Sequence, residues 1–176
     1  MALLSGINVG NRRIQMAKVA QLFADEKLLD VRTHFASGNV SFTSEEPPSY
    51  LSLEDRFKER FGFETSVILC SVTQIDELLD QVSSSLIRVM GIGSRPLVDP
   101  KIEGFRFIVA LSNGEHNLNS NVTVPRVELI DSFHLGSLWR WTIEDGKPPS
   151  SMEKLFPTKT TTRFAHALEK IYQGAR

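Results

Sequence analysis

The first 42 residues constrain this chain more than any other stretch. Ala2-Leu3-Leu4 is short and apolar, as a buried strand is. Gly6 and Gly10 bracket Ile7-Asn8-Val9, and Asn11 follows. Glycine permits a positive φ and Asn tolerates it, so the chain can turn sharply here. From Gln15 the period changes: Met16, Val19, Ala20 and Phe23 fall at i, i+3, i+4 and i+7, one face of a helix. Val31 to Phe35 then alternates, with Val31, Thr33 and Phe35 pointing one way and Arg32 and His34 the other. Ser37-Gly38-Asn39 is a turn between two β-rich runs, and Val40 and Phe42 resume the apolar face.

The same reading extends down the chain. Ser49 is placed to cap a helix that carries Tyr50, Leu53, Phe57 and Phe61 on one face, and Gly62 is placed to end it. Phe63 to Ser71 reads as a strand. Ala2 to Ser71 thus runs β-α-β-β-α-β, the ferredoxin-like order. Thr73 is expected to cap a third helix that Ser83-Ser84-Ser85 ends. Phe105 to Leu111, Val122 to Ile130 and Leu138 to Ile143 read as strands, with Trp139 and Trp141 on one face. Ser151 is expected to cap a short helix through Phe156, and Thr160-Thr161-Thr162 the last helix.

ALLSGINVG, the helix near Met16 and VRTHFASGNVSF resemble the family known as domain of unknown function sixteen ninety-seven. Its pattern opens like ALLRGINVG, turns through a Lys-rich segment into a helix, and continues NVRTYIQSGNVVF. The resemblance implies a small bacterial protein without established activity. It also implies an α+β fold of two ferredoxin-like subdomains. On this reading the first subdomain covers 1–85, a link rich in Gly and Pro covers 86–101, and a second subdomain covers 102–176. The family also places a Ser-Lys pair after a D-G turn and T-T-R-N-W at the last helix. Here Ser151 matches the serine after Asp145-Gly146, and Thr161-Thr162-Arg163 matches T-T-R. Met152, Phe164-Ala165 and Ser5 depart from the pattern. If the family residues bind a shared anionic ligand, part of that site is missing here.

Composition narrows the function classes. With 20 basic and 21 acidic residues the net charge is -1, which gives no global pull toward nucleic acid or anionic membrane. Residues 147–176 are the one basic stretch, with six basic and two acidic side chains. Cys70 is the single cysteine and sits in an apolar strand, so neither an internal disulfide nor a cysteine metal cluster is expected. No run approaches the ~20 apolar residues of a membrane helix and no leader is visible, which suits a cytoplasmic setting. His34, His116, His134 and His166 are scattered, with no metal-ligand spacing, and no cofactor motif occurs.

Three candidate sites remain. The loop through Asn8, Arg12 and Arg13 joins a strand to a helix, where backbone N–H groups and the dipole favour an anion; the alternative is a turn that needs glycine beside solvated arginines. Arg32, His34, Ser37 and Asn39 leave the helix-covered face and either line a groove or pack structurally, with Asn39 serving the turn. Ser151 and Arg163 lie in the basic C-terminal stretch. Together these suggest a small anionic or phosphorylated ligand between the subdomains, and an enzyme acting on an anionic substrate is the second reading. A nucleic-acid or protein interaction module is third: the aromatic signature of RNA-recognition modules is missing near Val40-Ser41-Phe42. Oligomeric state leaves no trace in the sequence.

Overall fold

In the computed structural model, residues 1–8, 13–91, 95, 104–114, 116–143 and 152–176 are described. The fold is mixed α+β, with two four-stranded antiparallel sheets and four helices. The chain divides into two compact units, Met1–Val72 with Gly174–Arg176, and Thr73–Gln173.

The first unit is built around β1 (Ala2–Leu4), buried at all three residues. The other elements are α1 (Met16–Asp25), β2 (Leu29–His34), β3 (Asn39–Thr43), α2 (Tyr50–Phe61) and β4 (Val67–Leu69). The strand order is β2-β3-β1-β4, so β1 is central, with Ala2 opposite both Val40 and Leu69. Ala2, Leu4, Val40 and Val67 share a core with Val19, Leu22 and Phe23 of α1 and Leu53 and Phe57 of α2. Both helices therefore cover one face. α2 starts where the Ser49 hydroxyl accepts from the Ser52 N–H, and stops at Gly62, whose φ of 75° turns the chain out of the helix. Buried Glu54 reaches from α2 to accept the Val67 N–H at 3.0 Å, which satisfies a donor on the outer strand β4.

The second unit repeats that strand order, and among the described residues no α-helix lies between its strands. Its strands are β5 (Phe105–Ser112), β6 (Val127–Ser132), β7 (Gly136–Thr142) and β8 (Thr160–Phe164), ordered β6-β7-β5-β8. α3 (Val72–Met90) precedes them, and α4 (Ala165–Ala175) follows. The tryptophan face, with Ile108, Ala110, Trp139 and Trp141, is covered by irregular chain. Leu118, Val122 and Val124 come from the β5–β6 connection, and Met152, Leu155 and Phe156 from a 3-10 turn (Met152–Leu155) and the residue after it.

Four expectations need correction. α3 does not end at Ser83-Ser84-Ser85, because the apolar stripe of Ile75, Leu78, Leu79 and Val82 continues at Leu86. The Ser85 hydroxyl is satisfied by donating to Asp131 at 2.6 Å, so a buried serine is tolerated mid-helix. Residues 86–90, expected in the link between subdomains, are the end of this helix, and the units divide after Val72 instead. Val122 to Val124 are not strand: they pack apolar side chains on the sheet rather than joining its ladder. Thr160-Thr161-Thr162 does not cap the last helix but pairs with β5, as suits β-branched residues, and the helix starts at Ala165.

Candidate functional site

The loop after β1 and the turn between β2 and β3 come together through one side chain. Asn8 sits at φ 53°, a backbone that Asn accepts with little strain. Its Oδ1 accepts the Ile14 N–H at 2.7 Å, while its Nδ2 donates to the Ile14 carbonyl at 3.2 Å and to the Ala36 carbonyl at 2.7 Å. Asn8 thus closes its own loop and ties that loop to the β2–β3 turn. The turn is fixed from below: the carbonyl of Gly38, a residue at φ 78°, accepts the Leu4 N–H at 2.7 Å. A Cβ on Gly38 would lie 2.9 Å from the Leu4 Cβ, so nothing larger fits. Asn39, fully buried, donates from Nδ2 to the His34 carbonyl and to Ser37 Oγ, both at 2.9 Å.

Above this frame lies an open groove of about 550 Å³, lined by Asn8, Arg13, Ile14, Gln15 and Ala36. It sits where α1 begins. The N-cap residue Gln15 makes no side-chain cap, and the first turn holds no acidic residue. The Lys18 N–H is spent on the Gln15 carbonyl at 2.9 Å, which leaves the Met16 and Ala17 N–H groups and the positive end of the helix dipole to meet an anion. Arg13, exposed, folds back so that Nη1 donates to the Asn8 carbonyl at 2.8 Å, which holds its charge at the groove. The exposed ring of Phe35 precedes Ala36, at φ 58°, an uncommon conformation for a bulky side chain.

Arg32 and His34 lie on the face away from α1 and α2, as their register opposite Ser41 and Asn39 requires. His34 Nε2 and Ser41 Oγ are 2.8 Å apart. Partial burial, with the neighbouring Arg32 charge second, holds the His34 pKa below its ordinary value, so the ring is neutral at pH 7. Ser37 is exposed at the turn. The structure therefore brings Asn8 and Arg13 together with the turn that carries Ser37 and Asn39, with Arg32 one register step away. Asn8 and Asn39 spend their amides on the frame itself.

Arg163 belongs to the second unit, on the outer strand β8. Nη1 donates to Thr161 Oγ1 and to the Thr162 carbonyl, both at 2.8 Å. Desolvation pushes its guanidinium down to about 10, still cationic at neutral pH. It is the fourth residue of β8, two residues before α4 begins at Ala165. Arg12 and Ser151 lie outside the described residues. Cys70 is buried and its thiol is pushed up to about 11 by desolvation, which keeps it protonated and unreactive at neutral pH. No group of three His, Cys, Asp or Glu among the described residues is placed to hold a metal ion. No helix among them is long and apolar enough to cross a membrane.

Sequence reading missed a buried polar network in the second unit. His116 joins Ser112, Ser137 and, through Ser137, Trp139. One hint was available: a buried indole N–H needs an acceptor, and a serine two residues earlier on a strand shares its face.

Residues 1–85 match the model of a family described as "Protein of unknown function (DUF1697)". The resemblance read from ALLSGINVG and VRTHFASGNVSF thus holds over that span. A solved structure of a conserved bacterial protein from Streptococcus pneumoniae has the same fold over 99% of this chain and 97% of its own, with TM-score 0.64 and 22% identity. No curated protein matches the chain. These comparisons indicate no specific function.

Proposed function

We propose that this chain, whose first unit carries the motifs of a family of unknown function, is a binding protein for a small anionic or phosphorylated ligand. The groove at the start of α1 takes the anionic group. The observation that carries this reading is the coincidence of three features. They are an open groove, a helix start with neither a side-chain cap nor an acidic residue, and the Arg13 cation tethered at the rim. Asn8 and Gly38 act as the frame that keeps the rim in place. We also propose that both units are of ferredoxin-like character. The shared strand order supports this, and so does the β-α-β-β-α-β sequence of the first unit.

Thermal-shift measurements with inorganic phosphate, nucleotides and sugar phosphates test the binding reading. A ligand present at ten times its Kd raises the Tm by about 3–6 °C for a chain of this size. The shift shrinks as salt rises, and Arg13→Ala reduces it. No shift at millimolar ligand, or an equal shift in Arg13→Ala, rejects the groove as the site.

A further inference from the structure

The buried network of the second unit runs through one imidazole, which bridges two serines. Trp139 Nε1–H can only donate, and it donates to Ser137 Oγ at 2.6 Å. Ser137 is fully buried, and among the described residues its hydroxyl meets just one further partner, His116 Nε2, at 2.7 Å. A neutral imidazole accepts from one of these two serines and donates to the other, Ser112 Oγ lying 2.9 Å from Nδ1. The imidazolium donates from both nitrogens, so neither buried serine hydroxyl keeps the ring as its acceptor and both protons are stranded.

His116 also holds the cover of the tryptophan face. It lies on the β5–β6 connection that supplies Leu118, Val122 and Val124. Its ring packs on Phe156 at 5.2 Å, and Phe156 meets Trp139 edge-on at 6.1 Å. The connection is pinned to the 3-10 turn by the Asn119 N–H, which donates to the Leu155 carbonyl at 2.8 Å. We propose that His116 is an acid-sensitive latch, and that its protonation releases the connection and the 3-10 turn from the tryptophan face.

The charges around it do not oppose this. Arg106 is at the far end of β5, Arg140 is on the other face of β7 against Glu128, and Glu153 and Lys154 of the 3-10 turn are exposed. Glu115 lies outside the described residues. Burial lowers the His116 pKa, and no charge among the described residues offsets it. The latch is therefore closed at neutral pH and opens in mild acid.

The molecule's two tryptophans both lie in this core, so intrinsic fluorescence reports on it directly. Titrating the full chain from pH 8 to 4.5 is expected to give a red shift in emission, with its midpoint below the ordinary histidine value of ~6.5. Far-UV circular dichroism should hold steady through that midpoint. In His116→Gln the amide can accept from Ser137 and donate to Ser112, so the transition should vanish. His166→Gln serves as the control and should keep it, although His166 stacks on Phe164 beside Trp141. Should His116→Gln fail to fold, long-range ¹H–¹⁵N spectra of the wild-type histidines, followed from pH 7.5 to 4.5, decide the matter. A His116 ring that becomes doubly protonated at the midpoint of the emission shift supports the latch, and a ring that stays neutral through that midpoint overturns it. The proposal also falls if emission is flat across the range, or if the red shift persists in His116→Gln.

Discussion

Asn8 shows how much of the site is a single residue's work. Its amide makes three hydrogen bonds to main-chain groups, and its backbone takes a positive φ that Ala resists. Net hydrogen-bond terms of ~0.5–1.5 kcal/mol each, plus ~1 kcal/mol for the left-handed backbone, predict that Asn8→Ala costs about 2.5–5.5 kcal/mol. Asn8→Gly loses the same bonds but not the backbone preference, so it should be milder by ~1 kcal/mol in urea titration. Equal losses would mean that the backbone contributes nothing. The sequence announced the turn at Asn8, since Gly6 and Gly10 flank it. It did not announce the bond to Ala36, which joins residues 28 apart and follows no periodicity. Gly38 and Asn39 were legible as a turn, but not as a buried one, because turn residues are ordinarily read as exposed. Here the Asn39 amide is consumed internally and the Leu4 side chain fills the space a Cβ would need.

At the level of elements, helices with a clean apolar face were easy to read. Phe57 is fully buried in the first core and tilts against Phe61 and Phe63, with ring centroids 4.7 and 6.2 Å away. Phe57→Ala is expected to cost ~3–5 kcal/mol by denaturant titration, as large truncations in a tight core do. A loss below ~1 kcal/mol would mean that the helix does not carry the core. Harder to read were the segments that cover the second sheet. Val122 and Val124 have strand-like composition, yet their apolar side chains are spent on packing. The threonines before α4 have capping chemistry, yet β5 offers them a ladder. In both cases a partner distant in sequence decides, and local preference is a weak prior against it. Two of the outer strands, β2 and β6, share a further device. β2 is irregular between Leu29 and Arg32, and β6 between Leu129 and Asp131. Such bulges twist an edge away from further pairing, which guards against sheet-to-sheet association.

For the molecule as a whole, the two units share a strand order that no sequence repeat reveals, because among the described residues α1 and α2 of the first have no α-helical counterpart between the strands of the second. Both units hold a partly buried histidine whose pKa lies below its ordinary value, through desolvation in each case and also Arg32 at His34. Below ~6.5 the unfolded chain then binds more protons than the native one, so acid favours unfolding. Stability is expected to be full above pH ~6.5 and to fall as pH drops toward the lowered native values. Urea titrations at pH 7.0 and 5.5 check this, and His34→Gln should shrink the difference between them. An unchanged difference would mean that His34 is not desolvated in the native state. The central place of β1 has a consequence for biosynthesis. The strand at the middle of the first sheet leaves the ribosome before either neighbour, and its pairing of Ala2 with Leu69 must wait for β4. At translation speeds of ~5–20 residues per second that wait lasts about 3–13 s, during which the edge of β1 that will meet β4 has no partner. Slowing translation between β1 and β4 lengthens the exposure, and a holding chaperone that binds short apolar segments would have that interval in which to act.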